Sequence, residues 1–305
     1  MADEIVPPEG GEVQGSKPPK SMRLAGALVT EYLSALDQRA SGVVRHVPTG
    51  LASMDRQLPA ALHEGHLVIL AGRPAMGKTA LAQQIAENVA AANRSVFFFS
   101  LEMSGYEVTE RAVSRRSGIP VPQLKMGEVD SQAWSRLLQA ADVFGRLPML
   151  VDDASFDIKG LVAKAKAAAA GLADRGLPPL GAVFVDYLQL VSGKAANRTL
   201  EIGQVTAGLK QLARELSVPV VALSQLNRGV EGRVDKRPTM ADLRESGSIE
   251  QDADLILFVY RDEYYNDNSA DRGVAEIIVG KNRHGSTSTV KLAFMGERVL
   301  FGDLA

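Results

Sequence analysis

The octapeptide Gly72-Arg73-Pro74-Ala75-Met76-Gly77-Lys78-Thr79 stands between a short apolar run, Leu67–Ala71, and a segment with helical spacing, Thr79–Ala91. Its glycines let the backbone curl so that consecutive N–H groups face one anion, and the first turn of a helix adds a favourable dipole. Lys78 is spaced to reach the β- and γ-phosphates of a nucleotide, and the Thr79 hydroxyl is spaced to ligate Mg²⁺. The segment therefore predicts a strand–loop–helix nucleotide site, with a chance glycine-rich turn as the alternative.

Short apolar runs and longer helical segments alternate along the rest of the chain. Runs of this kind are typical of strands buried on both faces of a parallel sheet, so the order predicts an α/β fold with a largely parallel central sheet. The predicted strands are Leu67–Ala71, Ser95–Ser100, Met149–Val151, Ala182–Val185, Val218–Leu223, Leu255–Tyr260 and Ala275–Val279, with Thr287–Met295 as a final edge strand. The predicted helices are Thr79–Ala91, Tyr106–Ser117, Ser131–Phe144, Ile158–Leu172 and Leu200–Leu216.

The composition excludes several classes of site. The 305 residues carry a formal net charge of −2, so any contact with nucleic acid must come from local basic groups. The chain has no cysteine, which excludes disulfides and cysteine-ligated metal sites and is compatible with a cytoplasmic location. No apolar run approaches the ~18 residues that span a bilayer, so no membrane contact is expected.

The N-terminal part of the chain differs from the rest. Residues 1–22 are acidic and rich in Pro and Gly, which predicts a disordered tail. Residues 23–42 are predicted to form an amphipathic linker helix, and residues 43–305 the main domain. The apolar residues at helical spacing are Leu24, Leu28, Val29, Tyr32, Leu33 and Leu36. This helix either packs on its own domain or docks on a neighbouring subunit, and its position behind a tail favours the second interpretation.

Three polar residues each follow a different predicted strand. Ligands of open α/β sheets lie beyond the carboxyl ends of the strands, where Asp186, Glu102 and Gln225 are all expected. Asp186 is a candidate Mg²⁺ ligand, Glu102 a candidate base for the attacking water, and Gln225 a candidate sensor of the γ-phosphate. The alternatives are a strand-end cap, a surface glutamate and a turn-forming amide.

Several further segments resemble the C-terminal motor domain of the DnaB family of bacterial and phage replicative helicases. The segments that carry the resemblance are Phe98–Ser104, Val185–Leu190, Leu212–Leu216, Leu223–Arg228, Asp235–Pro238 and Asp242–Asp254. The likeness extends from about Thr49 to Asp303. It implies a RecA-like P-loop NTPase core that binds ATP and Mg²⁺. It also implies the roles already given to two residues of the phosphate loop and to three at strand ends: Lys78, Thr79, Asp186, Glu102 and Gln225.

The resemblance also implies an activity. Members of the family hydrolyse ATP, move along single-stranded DNA in the 5′ to 3′ direction as ring-shaped hexamers, and unwind duplex DNA during replication. DNA contact is implied for a loop that contains Arg244, Glu245 and Gly247. Arg283 is implied as an arginine finger from a neighbouring subunit, with Lys281 as its partner; the two would point the same way if the preceding strand continued. From the residues alone, a solvated basic strand end is the alternative.

Little sequence precedes the core, which begins near Thr49, so we expect the family's N-terminal helical domain to be absent. This puts primase contact in doubt and leaves a helicase loader as a candidate partner. Two other hypotheses are a RecA-like ATPase with a recombinase or regulatory output, and a non-motor replisome-binding ring or decoy. The segment Asp242–Asp254 argues against the first, and an intact set of catalytic residues argues against the second.

Overall fold

The computed structural model describes residues 23–40, 46–154, 157–193, 195, 197–243 and 246–304. The chain divides into two units, one up to residue 44 and the other from residue 45. The predicted tail, residues 1–22, lies outside the described residues. In the first unit the described structure is helix α1, Ala25–Ala40, whose large apolar side chains are exposed.

The second unit alternates strands and helices as the sequence predicts. Its strands are β1 His46–Val47, β2 Leu62–His63, β3 Leu67–Gly72, β4 Ser95–Ser100, β5 Met149–Asp152, β6 Leu180–Asp186, β7 Val220–Gln225, β8 Leu255–Tyr260, β9 Val274–Asn282, β10 Thr289–Met295 and β11 Leu300–Asp303. Its helices are α2 Ala52–Gln57, α3 Lys78–Ala91, α4 Gly105–Ser117, α5 Val121–Met126, α6 Ser131–Gly145, α7 Ile158–Ala170, α8 Arg198–Leu216 and α9 Ser246–Asp252.

The described strands β3 to β11 form one sheet in the order β11-β10-β9-β8-β3-β7-β6-β4-β5. The pairs from β5 across to β8 are parallel, and β9, β10 and β11 extend the sheet in antiparallel fashion. The predicted α/β fold with a largely parallel sheet is confirmed. Among the described residues, no helix combines the length and the apolar character needed to cross a membrane.

The predicted strand Thr287–Met295 is present as β10, but its predicted position at the edge of the sheet is wrong. The segment Thr287–Met295 was expected at the edge of the sheet, but the strand begins at Thr289 and β11 pairs with its outer side. The rings of Phe294 and Phe301 face each other with centroids 4.7 Å apart, and both side chains are buried. Packing of this aromatic pair holds the short strand β11 against β10. The sequence did not predict β11, because four residues are too few to show the alternation of apolar and polar residues that indicates a strand.

Alternate side chains of the strands enter two separate cores. On β3, Val68 and Leu70 pack with helices α2, α3 and α4, whereas Leu67, Ile69 and Ala71 pack with α7, α8 and α9. The sheet is therefore covered on both faces, and its ligand sites are confined to its two ends. We call the end formed by the last residues of β3, β4, β6 and β7 the carboxyl edge. We call the opposite end, where β3 and β8 begin and β9 finishes, the amino edge.

Candidate functional site

The loop between β3 and α3 lies at the carboxyl edge, and two of its glycines are required by their surroundings. Gly77 has a φ of +96°, a left-handed conformation that side chains disfavour, and a Cβ there would lie 3.0 Å from the Phe301 ring. A Cβ at Gly72 would lie 3.0 Å from the Val259 carbonyl oxygen. The loop therefore keeps its tight curl only with glycine at these two positions.

The start of α3 is chemically different from the starts of the other long helices in the second unit. Helices α4, α6, α7 and α8 begin at residues whose side chains accept a hydrogen bond from the first turn: Ser104, Asp130, Asp157 and Asn197. Helix α3 begins after Gly77 with no side-chain cap. Its first N–H groups are thus left for another acceptor, and a phosphate is the group that such helix starts bind.

Lys78 occupies the first turn of α3 and is largely enclosed. Its Nζ donates a hydrogen bond to the Arg73 carbonyl oxygen, 3.2 Å away, across the loop. Burial lowers the pKa of Lys78 to about 8, although the charges of Asp186 and Glu102 oppose the change. A half-buried ammonium with one backbone acceptor among the described residues can exchange that contact for phosphate oxygens.

Asp186 ends β6 and pairs in register with Ser100, the last residue of β4. Its side chain is buried, and neither carboxylate oxygen has a hydrogen-bond partner of ordinary geometry among the described residues. Burial raises the pKa of Asp186 to about 6; the nearby Thr79 hydroxyl opposes the rise and the charge of Glu102 adds to it. A buried carboxylate beside a hydroxyl supplies the hard oxygen ligands that Mg²⁺ prefers, so these residues fit the ion.

Glu102 lies two residues beyond the end of β4 and is exposed. Its side chain lines a cavity of about 320 Å³ together with Lys78 and Thr79. The same cavity is bordered by Met103, so one wall is apolar. A carboxylate in this position can accept a proton from a water molecule held over the phosphate loop.

Gln225 ends β7 next to Gly72, the last residue of β3. Sequence reasoning missed Gln189, which fixes this strand end: its Nε2 donates to the Ser224 hydroxyl at 3.0 Å, and its Oε1 accepts from the Gln225 N–H at 3.2 Å. Gln189 follows β6 by three residues. The signal that could have found it is its position after the same strand that ends in Asp186.

Two arginines of the cavity were also missed. Arg111, on α4, lines the cavity; burial lowers its pKa, and the charges of Asp186 and Glu102 oppose this. Arg261 follows β8, donates to the Ala75 carbonyl oxygen at 3.1 Å and lies 4.2 Å above the Phe294 ring. The position of Arg261 at the carboxyl end of β8, the strand beside β3, could have indicated a site residue. The sequence contained no such indication for Arg111, which lies in the middle of a helix.

The Arg73 side chain points away from the cavity, although Arg73 belongs to the predicted phosphate loop. Its guanidinium forms an ion pair with Glu231 at 2.8 Å and donates to the Leu226 carbonyl oxygen at 2.9 Å. Only the backbone of Arg73 therefore faces Lys78. The side chain ties the loop to the segment that follows β7.

Lys281 and Arg283 lie at the amino edge, far from the phosphate loop of the same chain. The strand β9 ends at Asn282, so the alternation that would align the two side chains does not reach Arg283. Lys281 donates to the Ala253 carbonyl oxygen at 2.7 Å, and the Arg283 guanidinium is 3.8 Å from the Asp254 carboxylate. The length of β3 separates the two edges by roughly 17 Å at about 3.3 Å per residue, so neither cation reaches its own chain's site.

The predicted DNA loop is only partly described. Arg244 and Glu245 lie outside the described residues, and Gly247 is an exposed residue of α9. The segment just before this loop is attached to the end of β7, because Leu226 bridges to Leu243 and the Asn227 N–H donates to the Asp242 carbonyl oxygen at 2.9 Å. A displacement of the end of β7 at the carboxyl edge would therefore move residue 243 through these backbone contacts.

With this geometry established, comparison with known proteins identifies the family. A family model described as the DnaB-like helicase C terminal domain matches residues 46–303. The replicative DNA helicase DnaB of Pasteurella multocida (strain Pm70) is 46% identical over 264 residues, which are 85% of this chain and 56% of that protein. The chain thus spans a little over half the length of this curated relative.

Two solved structures agree with that match. One, described as an ATPase domain, superimposes with a TM-score of 0.81 at 36% identity, covering 92% of this chain and 98% of that chain. A DnaB-like replicative helicase, described together with its interactions with primase, gives the same TM-score and identity and covers 94% of this chain and 68% of that chain. Because the family model covers most of its length, the chain belongs to the family of DnaB-like helicase C-terminal domains.

Proposed function

We propose that this chain is the motor of a replicative DNA helicase, which hydrolyses ATP, moves 5′ to 3′ along single-stranded DNA as a hexameric ring, and unwinds duplex DNA. The observation that carries the proposal is the buried carboxylate of Asp186, without a hydrogen-bond partner of ordinary geometry among the described residues, beside Thr79 and Lys78 at the uncapped start of α3. The carboxylate can bind a cation, and the N–H groups at the start of the helix can bind an anion. The two groups together are therefore complementary to the Mg²⁺ complex of a nucleoside triphosphate.

The roles of the site residues follow from their chemistry. The backbone of Gly72 to Thr79, including Pro74, Ala75 and Met76, surrounds the phosphates, and Lys78 replaces its contact with Arg73 by contacts with phosphate oxygens. Mg²⁺, held by Thr79 and Asp186, would neutralise charge on the phosphates. Glu102 takes the proton of the attacking water, which the open cavity can hold.

A neighbouring subunit completes each site in this proposal. Arg283 is exposed at the amino edge and lies too far from its own loop to act there, so its place as a finger requires a second copy of the chain. Lys281 supports it from the adjacent strand end. The exposed apolar side chains of α1 supply a further surface for such an assembly, since apolar faces of this kind are buried against a partner.

Coupling to DNA would run along the segment after β7. Gln225 senses the γ-phosphate, Gln189 holds the strand end, and the bridge between Leu226 and Leu243 carries the shift to the residues just before Arg244. Arg244 and the backbone N–H of Gly247 contact the phosphates of single-stranded DNA, and Glu245 orients a basic side chain of the same loop. Because the chain has a net charge of −2, affinity would come from summing a few contacts per subunit around the ring.

Further partners and location follow from the same proposal. A helicase loader is a candidate partner. The protein would work at the replication fork in the cytoplasm. Contact with primase is not part of the proposed motor activity and needs a separate binding test.

Turnover of ATP with and without single-stranded DNA tests the enzymatic half of the proposal. We expect DNA-stimulated hydrolysis that Lys78→Ala lowers by on the order of 10²–10³-fold, because the main cation on the phosphates is lost. Lys125→Ala, which removes an exposed lysine from α5, is the matched control and should keep full turnover. A well-folded protein that binds but never hydrolyses ATP would favour a non-motor ring instead.

Mixing two inactive variants tests the shared site. Arg283→Ala should bind ATP normally yet lose about 10³–10⁵-fold in turnover, the range for arginine fingers supplied in trans. Mixed with Lys78→Ala chains it should regain part of the activity, since each Arg283→Ala site can then receive an intact finger. Arg94→Ala, at another exposed arginine, serves as the control. Absence of any rescue in mixed particles of confirmed hexameric size would exclude the shared site.

A further inference from the structure

Histidine is rare in this chain, and its distribution is uneven. Of four histidines in the sequence, three lie in contact at the amino edge. The rings of His63 and His66 have centroids 4.7 Å apart, and those of His66 and His284 are also 4.7 Å apart and nearly parallel. The nucleotide site uses none of them, so the cluster needs a separate explanation.

The sheet brings these side chains together from distant parts of the sequence. His66 immediately precedes β3, Asp254 immediately precedes β8, and His284 follows the end of β9 by two residues. These three strands are neighbours in the order β9-β8-β3. Because β8 is parallel to β3 and antiparallel to β9, the two starts and the one end fall at the same edge.

The potential ligand atoms of His66, Asp254 and His284 all lie within 4.8 Å of one another. A cavity of about 620 Å³ adjoins them and leaves room for an ion with a water molecule. His63 keeps its Nδ1 engaged with the Glu64 carbonyl oxygen, 2.9 Å away, which fixes the orientation of the ring that lies against His66.

We propose that His66, Asp254 and His284 bind one divalent transition-metal ion, for which Zn²⁺ is the best match. Two imidazoles and one carboxylate form the three-ligand set of open zinc sites, with water in the fourth position.

The charges around Asp254 set the strength of the site. One carboxylate oxygen, Oδ2, already accepts from the Leu67 N–H at 2.8 Å and from Lys210. The other, Oδ1, has the long 3.8 Å contact with Arg283 and is the oxygen offered to the ion. Two nearby cations oppose a third positive charge, so we expect a weaker site than one built from thiolates. His284 is exposed on the turn after β9 and can rotate toward the ion.

Zinc titration of the full chain, prepared without a histidine tag, tests the proposal independently of ATP or DNA. Competition with a chromophoric chelator should reveal one site per chain. His284→Ala should weaken zinc binding at least about tenfold, because losing even an outer partner costs 10–100-fold in metal affinity. His46→Ala is the matched control: it removes the one histidine outside the cluster and should leave the affinity unchanged.

A second variant and a second readout separate metal binding from folding. His66→Asn places a neutral polar group at a half-buried position, and circular dichroism establishes whether the fold is kept. Zinc should raise the unfolding temperature of the parent chain and of His46→Ala, because the ion binds the folded state, and at the same zinc concentration it should raise that of His284→Ala and His66→Asn less. Equal zinc affinity in the parent chain, His284→Ala and folded His66→Asn would overturn the proposal.

Discussion

Two aspartates at opposite edges of the same sheet have opposite environments. Asp186 and Asp254 are 1% and 3% exposed, and each adjoins an end of a parallel strand. Burial raises the pKa of Asp186 to about 6, and no described residue gives either of its oxygens a hydrogen bond of ordinary geometry. Burial would do the same to Asp254, but hydrogen bonds from Lys210 and the Leu67 N–H hold its pKa below the ordinary value. Both oxygens of Asp186 are therefore available for a ligand, whereas at Asp254 the fold engages Oδ2 and leaves Oδ1 for an ion.

The lysines of the two edges repeat the contrast. Lys78, at the carboxyl edge, donates to one acceptor within the described part of the chain, the Arg73 carbonyl oxygen. Lys281, at the amino edge, donates to the carbonyl oxygens of both Glu250 and Ala253. Among the described residues, the lysine of the amino edge thus has more acceptors within the chain than the lysine of the carboxyl edge. This difference predicts where a substitution will damage chemistry and where it will damage stability.

The largest effect is expected from Asp186→Asn on ATP turnover. An amide has almost the shape of the carboxylate but no charge to hold Mg²⁺, and metal stabilisation of the reacting phosphate is worth several kcal/mol. We expect turnover to fall on the order of 10³-fold, about 4 kcal/mol, with the fold intact. Steady-state hydrolysis at saturating Mg²⁺ measures this. A loss below about threefold would mean that the unsatisfied carboxylate is not a metal ligand.

The next largest effect is expected from Asp254→Ala on stability. The substitution leaves the Leu67 N–H without its acceptor and Lys210 with only the Gly65 carbonyl oxygen, and breaking a buried ion pair by removing one partner typically costs about 3 kcal/mol or more. Denaturant unfolding measures this change. Asp186→Ala is the matched control, because it removes an equally buried carboxylate that lacks such partners among the described residues. Equal losses in the free energy of unfolding of the two variants would show that the partners of Asp254 do not make it more important for stability than Asp186.

The sequence alone predicted the carboxyl edge well, for a physical reason. Phosphate loops and parallel strands are local patterns, and the carboxyl ends of parallel strands meet by geometry, so Lys78, Asp186 and Glu102 were expected together. The structure lines one cavity with Lys78 and Glu102 and sets Asp186 beside Thr79. The strands β4 and β8 have the bounds that the apolar runs predicted.

The amino edge was not predictable in the same way. Lys281 and Arg283 were assigned to a strand end, but which end of the sheet they occupy depends on the antiparallel pairing of β9 with β8, and no local pattern specifies that pairing. The cluster of His66 and His284 likewise arises from residues far apart in sequence. Arg111 escaped notice because helical packing alone directs it into the cavity.

A smaller effect is expected in the pH dependence of stability. Asp186 has a pKa of about 6 when folded and an ordinary value of 3.8 when unfolded, so the folded chain binds the extra proton between these values and the contribution of Asp186 to the free energy of unfolding falls as pH rises through them. Asp186→Asn removes this fall. Asp254 adds no slope there, because its lowered pKa matters only below about pH 4.

Denaturant unfolding of the parent chain and Asp186→Asn at several pH values measures the difference. The stability advantage of the variant should grow by about 2 kcal/mol from pH 4 to pH 7, which is the linkage value for a pKa raised from 3.8 to about 6 over that range. A constant difference across this range would show that the carboxylate is not destabilised by burial.

The smallest effect is expected from Glu231→Gln, which probes the ion-paired cation of the phosphate loop. Arg73 keeps its hydrogen bond to the Leu226 carbonyl oxygen, and the Glu231 side chain is 43% exposed, so losing the ion pair should cost only about 0.5 kcal/mol in the free energy of unfolding. ATP affinity should change less than about threefold, because 0.5 kcal/mol corresponds to that factor at most. Leu226 also donates to the Gly72 carbonyl oxygen at 3.4 Å, so the segment after β7 stays attached to the loop without Glu231. A tenfold loss of ATP affinity would instead mean that the ion pair itself holds the loop open for the phosphates, and the carboxyl edge would then depend on internal pairing as the amino edge does.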